Sequence, residues 1–257
     1  MKIVVCGAGG RMGQAILAVA KLNKDVQVSA ALECDGNEII GTGDPLVSSI
    51  CDLQKFLSKT DVLIDFTNSD AALKNLIIAE KYKVPVVVGT TGFNNDQRER
   101  IREISRNIPI VFSPNMAVGV NILFDLVKIV AKKIPHYNIE IVELHHNKKK
   151  DSPSGTAIKL AEIAATSIGK NIVDVGVYGR HSTDMVRKKD EIGVSSIRAG
   201  DIVGDHTVYF VGCGERIELT HRAHSRDSFA MGALVAAKWL IGKKFGLYDM
   251  SDVLKSV

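Results

Sequence analysis

The opening residues constrain the fold most. A β-branched run, KIVVC, stops at a glycine cluster, Gly7-Ala8-Gly9-Gly10-Arg11-Met12-Gly13, and a helical pattern, QAILAVAKL, follows at once. A glycine turn between a first strand and a first helix lets the backbone approach a pyrophosphate held by amide groups at the helix start. The spacing is Gly7-x-x-Gly10-x-x-Gly13 and departs from the strict GxGxxG fingerprint, because Met12 stands where that motif has its third glycine. Glycines in such a turn can also serve only its backbone geometry. The surroundings favour a dinucleotide: the second β run, VQVSAAL, ends at Glu33, twenty residues beyond Gly13, where a carboxylate can accept hydrogen bonds from ribose hydroxyls.

Further runs, DVLIDF, VPVVVG and IPIVF, alternate with helical stretches such as SDAALKNLIIAEKYK. Strands alternating with helices predict βαβ units and a parallel sheet, and runs that are apolar throughout suit a sheet covered on both faces. The fold class expected is therefore α/β, an N-terminal doubly wound parallel sheet followed by an α+β domain. The texture changes near Ala117. A helix expected over 118–133 leads to the strand NIEIVEL, a polar run from His145 to Asp151, a helix opened by Pro153, Ser154 and Gly155, and a hairpin of HTVYFVG and ERIELTH joined at Cys213 and Gly214. A last helix, roughly 228–241, is expected to return to the first domain. The division expected is 1–117 with 226–257 for the dinucleotide and 118–225 for a second domain, with hinges near Ala117 and His224.

Composition narrows the function classes. Hydrophobic residues are 46% and charged residues 24%, as in soluble globular proteins, and no apolar run approaches the roughly 20 residues that span a bilayer. The first residues carry no export-type cleavage region, so a cytoplasmic location is expected. Cys6, Cys34, Cys51 and Cys213 lack the spacing of a zinc site or disulfide framework. A net charge of +4 spread along the chain, with Trp239 the one tryptophan, gives no reason to expect nucleic acid, whereas a small anionic substrate suits it.

The chemistry concentrates in Glu143-Leu-His145-His146-Asn-Lys-Lys149-Lys-Asp151-Ser-Pro153-Ser154-Gly155-Thr156. Neighbouring residues on a strand point to opposite faces, so His145 and His146 can share a pocket only if the strand ends there. Ser154 and Thr156 at a helix start, with Gly155 leaving the backbone bare, make a plausible carboxylate site. Each feature alone reads as exposed polar side chains, a solvated charge run or a cap. Together they set proton donors and cations beside an anion-binding helix end, as the reduction of an acidic substrate requires. A metal site from His145, His146, His221 and His224 lacks a recognised spacing, so no metal is expected.

This segment resembles the E-x-HHxxKxDxPSGT signature of the 4-hydroxy-tetrahydrodipicolinate reductase family, also called dihydrodipicolinate reductase, of lysine and diaminopimelate biosynthesis. Other stretches are similar to that family: GxxGRMG at Gly7 to Gly13, DFT at Asp65 to Thr67, GTTGF at Gly89 to Phe93, SPNMAVGVN at Ser113 to Asn121 and RAGDIVGDHT at Arg198 to Thr207. The resemblance implies a Rossmann-type first domain, a second domain that binds substrate and assembles a homotetramer, and NADH or NADPH as cofactor. It implies proton donation by His145 and Lys149, and substrate contacts from His146, Ser154, Gly155 and Thr156. It implies cofactor contacts from Gly7, Ala8, Gly9, Gly10, Arg11, Met12, Glu33, Gly89, Thr90, Thr91, Ser113, Pro114, Asn115 and Met116, and from Arg226 and Phe229 near the nicotinamide. Cys34 departs from the pattern where a basic residue could hold a 2′-phosphate, so a modest NADH preference is expected. Two other readings stay open beside it: another two-domain reductase of amino-acid metabolism, and a redox sensor that binds the dinucleotide without catalysis.

Overall fold

The computed structural model describes residues 1–255. The chain divides into two compact units, Met1–Val118 with Arg226–Val257, and Gly119–Ser225. In the first unit, β1 (Lys2–Cys6), α1 (Arg11–Leu22), β2 (Gln27–Glu33), β3 (Val47–Ser49), α2 (Leu53–Leu57), β4 (Val62–Asp65), α3 (Ser69–Tyr82), β5 (Val86–Val88), α4 (Asn95–Ser105) and β6 (Pro109–Phe112) follow in order. In the second, α5 (Val118–Lys133) leads to β7 (Asn138–His145), α6 (Gly155–Ser167), α7 (Ile172–Val175), β8 (Gly176–Tyr178), β9 (Ile192–Arg198), β10 (Gly204–Val211) and β11 (Arg216–Ala223). The chain then returns to the first unit with α8 (Asp227–Leu240), β12 (Gly246–Tyr248) and α9 (Met250–Leu254).

The first sheet has seven strands in the order β12-β6-β5-β4-β1-β2-β3, and every pairing in it is parallel. Alternate residues of its apolar strands feed two cores. Ile3 and Val5 pack with Ile16 of α1 and Ala233 and Leu240 of α8, whereas Val4 and Cys6 pack with Leu53 of α2, Leu76 of α3 and Ile104 of α4. A strand buried on both faces needs no polar alternation, which is why these runs are continuous. The α/β class expected from the sequence is the class observed. The three-residue strands β3 and β12 were not legible, because three residues carry no period that separates a strand from a loop.

The chain order reverses on either side of β1, which lies between β2 and β4, and such a switch point is where doubly wound sheets bind ligands at their carboxyl ends. The loops after β1, β4 and β5 crowd together there. A Cβ on Gly7, whose φ is 84°, would lie 2.7 Å from the Phe66 carbonyl oxygen, and one on Gly89 would lie 2.1 Å from the Phe66 ring.

The second sheet runs β11-β10-β7-β9-β8 and is mixed, with β7 antiparallel to β10 and parallel to β9. Leu123 and Val127 of α5 and Leu160, Ala161 and Ala164 of α6 pack on Ile139, Ile141, Val194, Val208 and Phe210 from one face of it. β10 and β11 form the expected hairpin, closed by the Gly212 amide on the Glu215 carbonyl at 3.0 Å, with Gly214 at φ 81°.

Gly13 sits where α1 meets the turn that precedes it, and a Cβ there would lie 2.0 Å from the Gly7 carbonyl oxygen and 2.8 Å from the Ala8 Cα. Gly13→Ala is expected to cost on the order of 3 kcal/mol and to lower Tm by several degrees in a thermal melt. An unchanged Tm would contradict this packing.

Candidate active site

The first unit holds the residues expected to bind the nucleotide. Asn68, Asn94 and Ser154 cap α3, α4 and α6 with their side chains, but Gly10 brings no side chain to the start of α1. Gly9, Gly10 and Arg11 are exposed there, Gly7 and Ala8 are buried, and Met12 packs on the core. An uncapped helix start at the switch point, with bare backbone leading into it, fits a pyrophosphate, which takes its hydrogen bonds from amides and gains from the helix dipole. The Glu33 carboxylate, at the end of β2, accepts from the Gly9 amide at 2.8 Å and from the Cys34 amide at 2.8 Å. Both oxygens keep lone pairs for hydroxyl donors. Beside it, Asp35 accepts from Ser49 Oγ and from Cys51 Sγ, and these contacts, Ser49 first, hold its carboxyl below the usual range. The hydrogen bond to Glu33 raises the Cys34 thiol.

A buried carboxyl organises the neighbouring loops. Asp65 accepts from Thr67 Oγ1 at 2.7 Å, Thr90 Oγ1 at 3.0 Å and Asn75 Nδ2 at 2.8 Å, while its own carbonyl takes the Gly89 amide at 2.9 Å. Burial pushes its pKa up against these bonds. Thr90 is thus an internal strut, and of the expected Gly89 to Thr91 contacts, Thr91 presents the exposed side chain. In the next loop Ser113 Oγ donates to the Asn115 carbonyl at 2.9 Å, Pro114 is exposed, and the Met116 side chain is buried in the core, so only the backbone of Met116 is left to offer. Arg226 caps α8 through its backbone and Phe229 is half-buried one turn on.

The second unit holds the residues expected to donate the proton. β7 ends at His145, the condition under which the two histidines need not point apart. On this strand Ile139 and Ile141 face the core, and the same parity turns Glu143 and His145 inward. Glu143 is 0% exposed and its carboxylate is fully engaged. Oε2 faces His145 Nδ1 at 2.5 Å and Arg198 Nη1 at 2.8 Å, while Oε1 accepts from Arg198 Nη2 at 2.7 Å and from the Ser154 amide at 3.0 Å. Burial alone would raise the carboxyl, but the Arg198 and His145 bonds outweigh it and hold its pKa down at about 2. Burial lowers His145 against the opposing pull of Glu143. Ser154 Oγ caps α6 by accepting from the Ala157 amide at 3.2 Å and also meets His206 Nε2 at 3.0 Å. The His206 ring stands edge-on to His145, with centroids 5.2 Å apart, and is pushed down to about 3 by burial and then by His145.

Of the other expected donor and substrate residues, Lys149 pairs with Asp151 at 2.9 Å, and its charge acts on His145. His146 is half-buried and its Nδ1 accepts from the Lys148 amide at 3.2 Å. Gly155 is exposed, and a Cβ there would meet nothing within 4 Å. Thr156 follows it in the first turn of α6. His145 and Ser154 are therefore joined through Glu143, whereas Lys149 and His146 belong to the loop between them. Glu143, Arg198 and His206 received no role from the sequence. The parity of β7 was the available signal for Glu143, since a carboxylate among core-facing isoleucines needs a partner. Among the described residues no group of three or more His, Cys, Asp or Glu side chains could hold a metal ion, and no helix is long and apolar enough to cross a membrane.

Folded His206 refuses a proton until about pH 3, whereas the unfolded chain takes one up near about pH 6.5. Its contribution to stability is complete above the unfolded value and is lost as pH falls from there toward 3. His145 contributes with the same sign. His206→Gln is expected to flatten the dependence of Tm on pH across that window, and an unchanged slope would contradict the assignment.

Comparison with known proteins matches both units. Residues 1–116 match the family model described as dihydrodipicolinate reductase, N-terminus, and residues 119–254 match dihydrodipicolinate reductase, C-terminus. The 4-hydroxy-tetrahydrodipicolinate reductase of Syntrophotalea carbinolica is 48% identical, over 99% of this chain and 98% of its own. That of Syntrophus aciditrophicus is 44% identical, over 99% and 98%. A solved structure of dipicolinate-bound dihydrodipicolinate reductase from Paenisporosarcina sp. TG-14 is similar in fold, with a TM-score of 0.79 at 22% identity over 97% of each chain. With both halves matched and relatives aligned along nearly its whole length, the chain belongs to the dihydrodipicolinate reductase family.

Proposed function

We propose that this chain reduces 4-hydroxy-tetrahydrodipicolinate, by way of dihydrodipicolinate, to tetrahydrodipicolinate in lysine and diaminopimelate biosynthesis. The observation that carries the reading is one continuous network that joins a buried histidine, its carboxylate partner and the start of a helix bearing bare Gly155. The family membership supports this substrate for the network. NADH or NADPH supplies the hydride when bound, and the cofactor contacts proposed are the uncapped start of α1, Glu33, the loops holding Gly89 to Thr91 and Ser113 to Met116, and Arg226 and Phe229.

The protein's own part is to hold a dianion and deliver one proton. After water is lost from the hydroxylated ring, the conjugated C=N system accepts a hydride, and a proton must follow to complete the reduction. His145 is the proposed donor through Nε2, since Nδ1 is committed to Glu143. Lys149, with its charge beside His145, is the proposed second donor and carboxylate partner. His146, Ser154, Gly155 and Thr156 are proposed to take the substrate carboxylates at the start of α6, where amides and the helix dipole favour an anion.

The NADH preference is proposed to be modest. Where a 2′-phosphate would sit, beyond Glu33, the chain sets the Cys34 thiol and the ionised Asp35. Exposed Arg11 is the cation nearest to Glu33 in the glycine turn. The proposed assembly is a homotetramer built through the second sheet. Helices cover one face of that sheet, and the opposite face carries Val142 and Leu144 half-buried and Ile197 at 45% exposure. Light scattering on the purified chain tests this, and a monomer would overturn it. The cytoplasm is the proposed compartment, consistent with four free thiols.

Cofactor oxidation coupled to the synthase that makes the unstable substrate tests the activity, with NADH and NADPH compared side by side. His145→Ala is expected to lower kcat by about a hundredfold or more with little change in NADH binding. Gly155→Val, with open space around the new side chain, is expected to leave folding intact and raise the substrate KM. Unchanged kcat in His145→Ala would refute its role, and a large NADPH advantage would refute the cofactor reading.

A further inference from the structure

The proposed donor is flanked by charges that cancel. A carboxylate offers about four acceptor positions. On Glu143 they are taken by both terminal nitrogens of Arg198, the Ser154 amide and His145 Nδ1. Glu143 therefore has no donor role, and the hydrogen on this contact belongs to His145 Nδ1. That choice fixes the tautomer and leaves Nε2 as the atom that exchanges a proton with a ligand. Gly204 keeps that atom accessible, since a Cβ there would lie 2.9 Å from Nε2.

A lone buried carboxylate against an imidazole would hold it as a persistent imidazolium, which is a poor donor near neutral pH. Arg198 opposes that bias because its guanidinium engages both oxygens of the same carboxylate, at 2.8 and 2.7 Å. It is itself fixed by donating to the Asp151 and Ile197 carbonyls, each at 2.8 Å. The charged and titratable groups facing His145 are Glu143 on β7, Arg198 on β9, His206 on β10 and Lys149 in the following loop. Lys149 is in turn paired with Asp151. His221 lies beyond His206, directly across from it on β11. The ring thus sits between two neutral ion pairs, Glu143 with Arg198 and Lys149 with Asp151.

We propose that Glu143 and Arg198 act as one charge-balanced positioning pair, which fixes the Nδ1–H tautomer of His145 while cancelling the field that would otherwise lock its ring in the protonated form. The inference rests on His145 being the proton donor, and the measurement separates the two. Histidine-labelled full-length protein is titrated by NMR, with the His145 signal assigned from its loss in His145→Gln, and kcat is followed against pH in the same variants.

Glu143→Gln is expected to move the His145 midpoint down by about one unit, a tenfold change in its protonated fraction. Arg198→Gln is expected to move it up by a similar amount. Arg198→Gln leaves Glu143 buried without its cation and can fail to fold. The double variant, Glu143→Gln with Arg198→Gln, removes both charges and is expected to bring the midpoint back close to the parent value. A His145 midpoint unmoved in Glu143→Gln, or a double variant that titrates with Glu143→Gln, overturns the charge balance even if His145→Ala is inactive. Opposed shifts that the pH profile of kcat ignores uphold the charge balance and overturn His145 as the donor.

Discussion

The two-pronged contact of Arg198 with Glu143 is the constraint on which the chemistry proposed for the second unit depends. It links β9 to β7, and through the Ser154 amide and the Asp151 carbonyl it also fixes the loop that carries Lys149 and the start of α6. A buried ion pair of this kind is weak evidence for stability, since desolvation of both charges offsets their attraction. Its value lies in specifying one arrangement. Without Arg198, Glu143 would be an uncompensated charge in a core of isoleucines. Without Glu143, His145 would have neither a fixed ring orientation nor a fixed tautomer. The capping of α6 by Ser154, which also meets His206, extends the same fixed geometry to the helix start beside Gly155.

The first unit reaches its rigidity by a different route. Its turns meet through bare backbone, at Gly7 against Phe66, at Gly13 against Gly7 and at Gly232 against the Met116 carbonyl, where a Cβ would lie 1.8 Å away. Close approach of this kind leaves α1 without a side-chain cap and Glu33 bonded to the Gly9 amide, so the polar groups offered at the switch point are amides and one carboxylate. Groups of these kinds suit a pyrophosphate and a ribose. In the proposed function the first unit contributes fixed amides and the second a charge-balanced histidine.

Much of this was legible in the sequence, for physical reasons that also mark where legibility ended. Continuous apolar runs identified β1, β2, β4, β5 and β6, because strands buried on both faces must read that way. The helix expected over 118–133 is α5, and the hairpin of β10 and β11 lies where its glycines put it. Strands β3 and β12 were too short to carry a period. Met116 and Thr90 came from resemblance as cofactor contacts, yet the Met116 side chain lies in the core and the Thr90 hydroxyl bonds to Asp65. Arg198 stood in a motif fifty-five residues from Glu143, and only the pairing of β7 with β9 brings the two together. Such long-range pairing is a property of the sheet, and no local pattern encodes it.

A dicarboxylate is proposed to bind at the start of α6 with His145 Nε2 toward its ring. The direct measurement is a crystal structure of this chain with NADH and dipicolinate, the ligand of the Paenisporosarcina relative. The expected result is a dipicolinate carboxylate on the Gly155 and Thr156 amides, the ring within hydrogen-bonding reach of Nε2, and the contacts of Glu143 to His145 and Arg198 intact. Dipicolinate bound away from α6, or His145 turned so that Nδ1 faces the ligand and Glu143 is released, would contradict it.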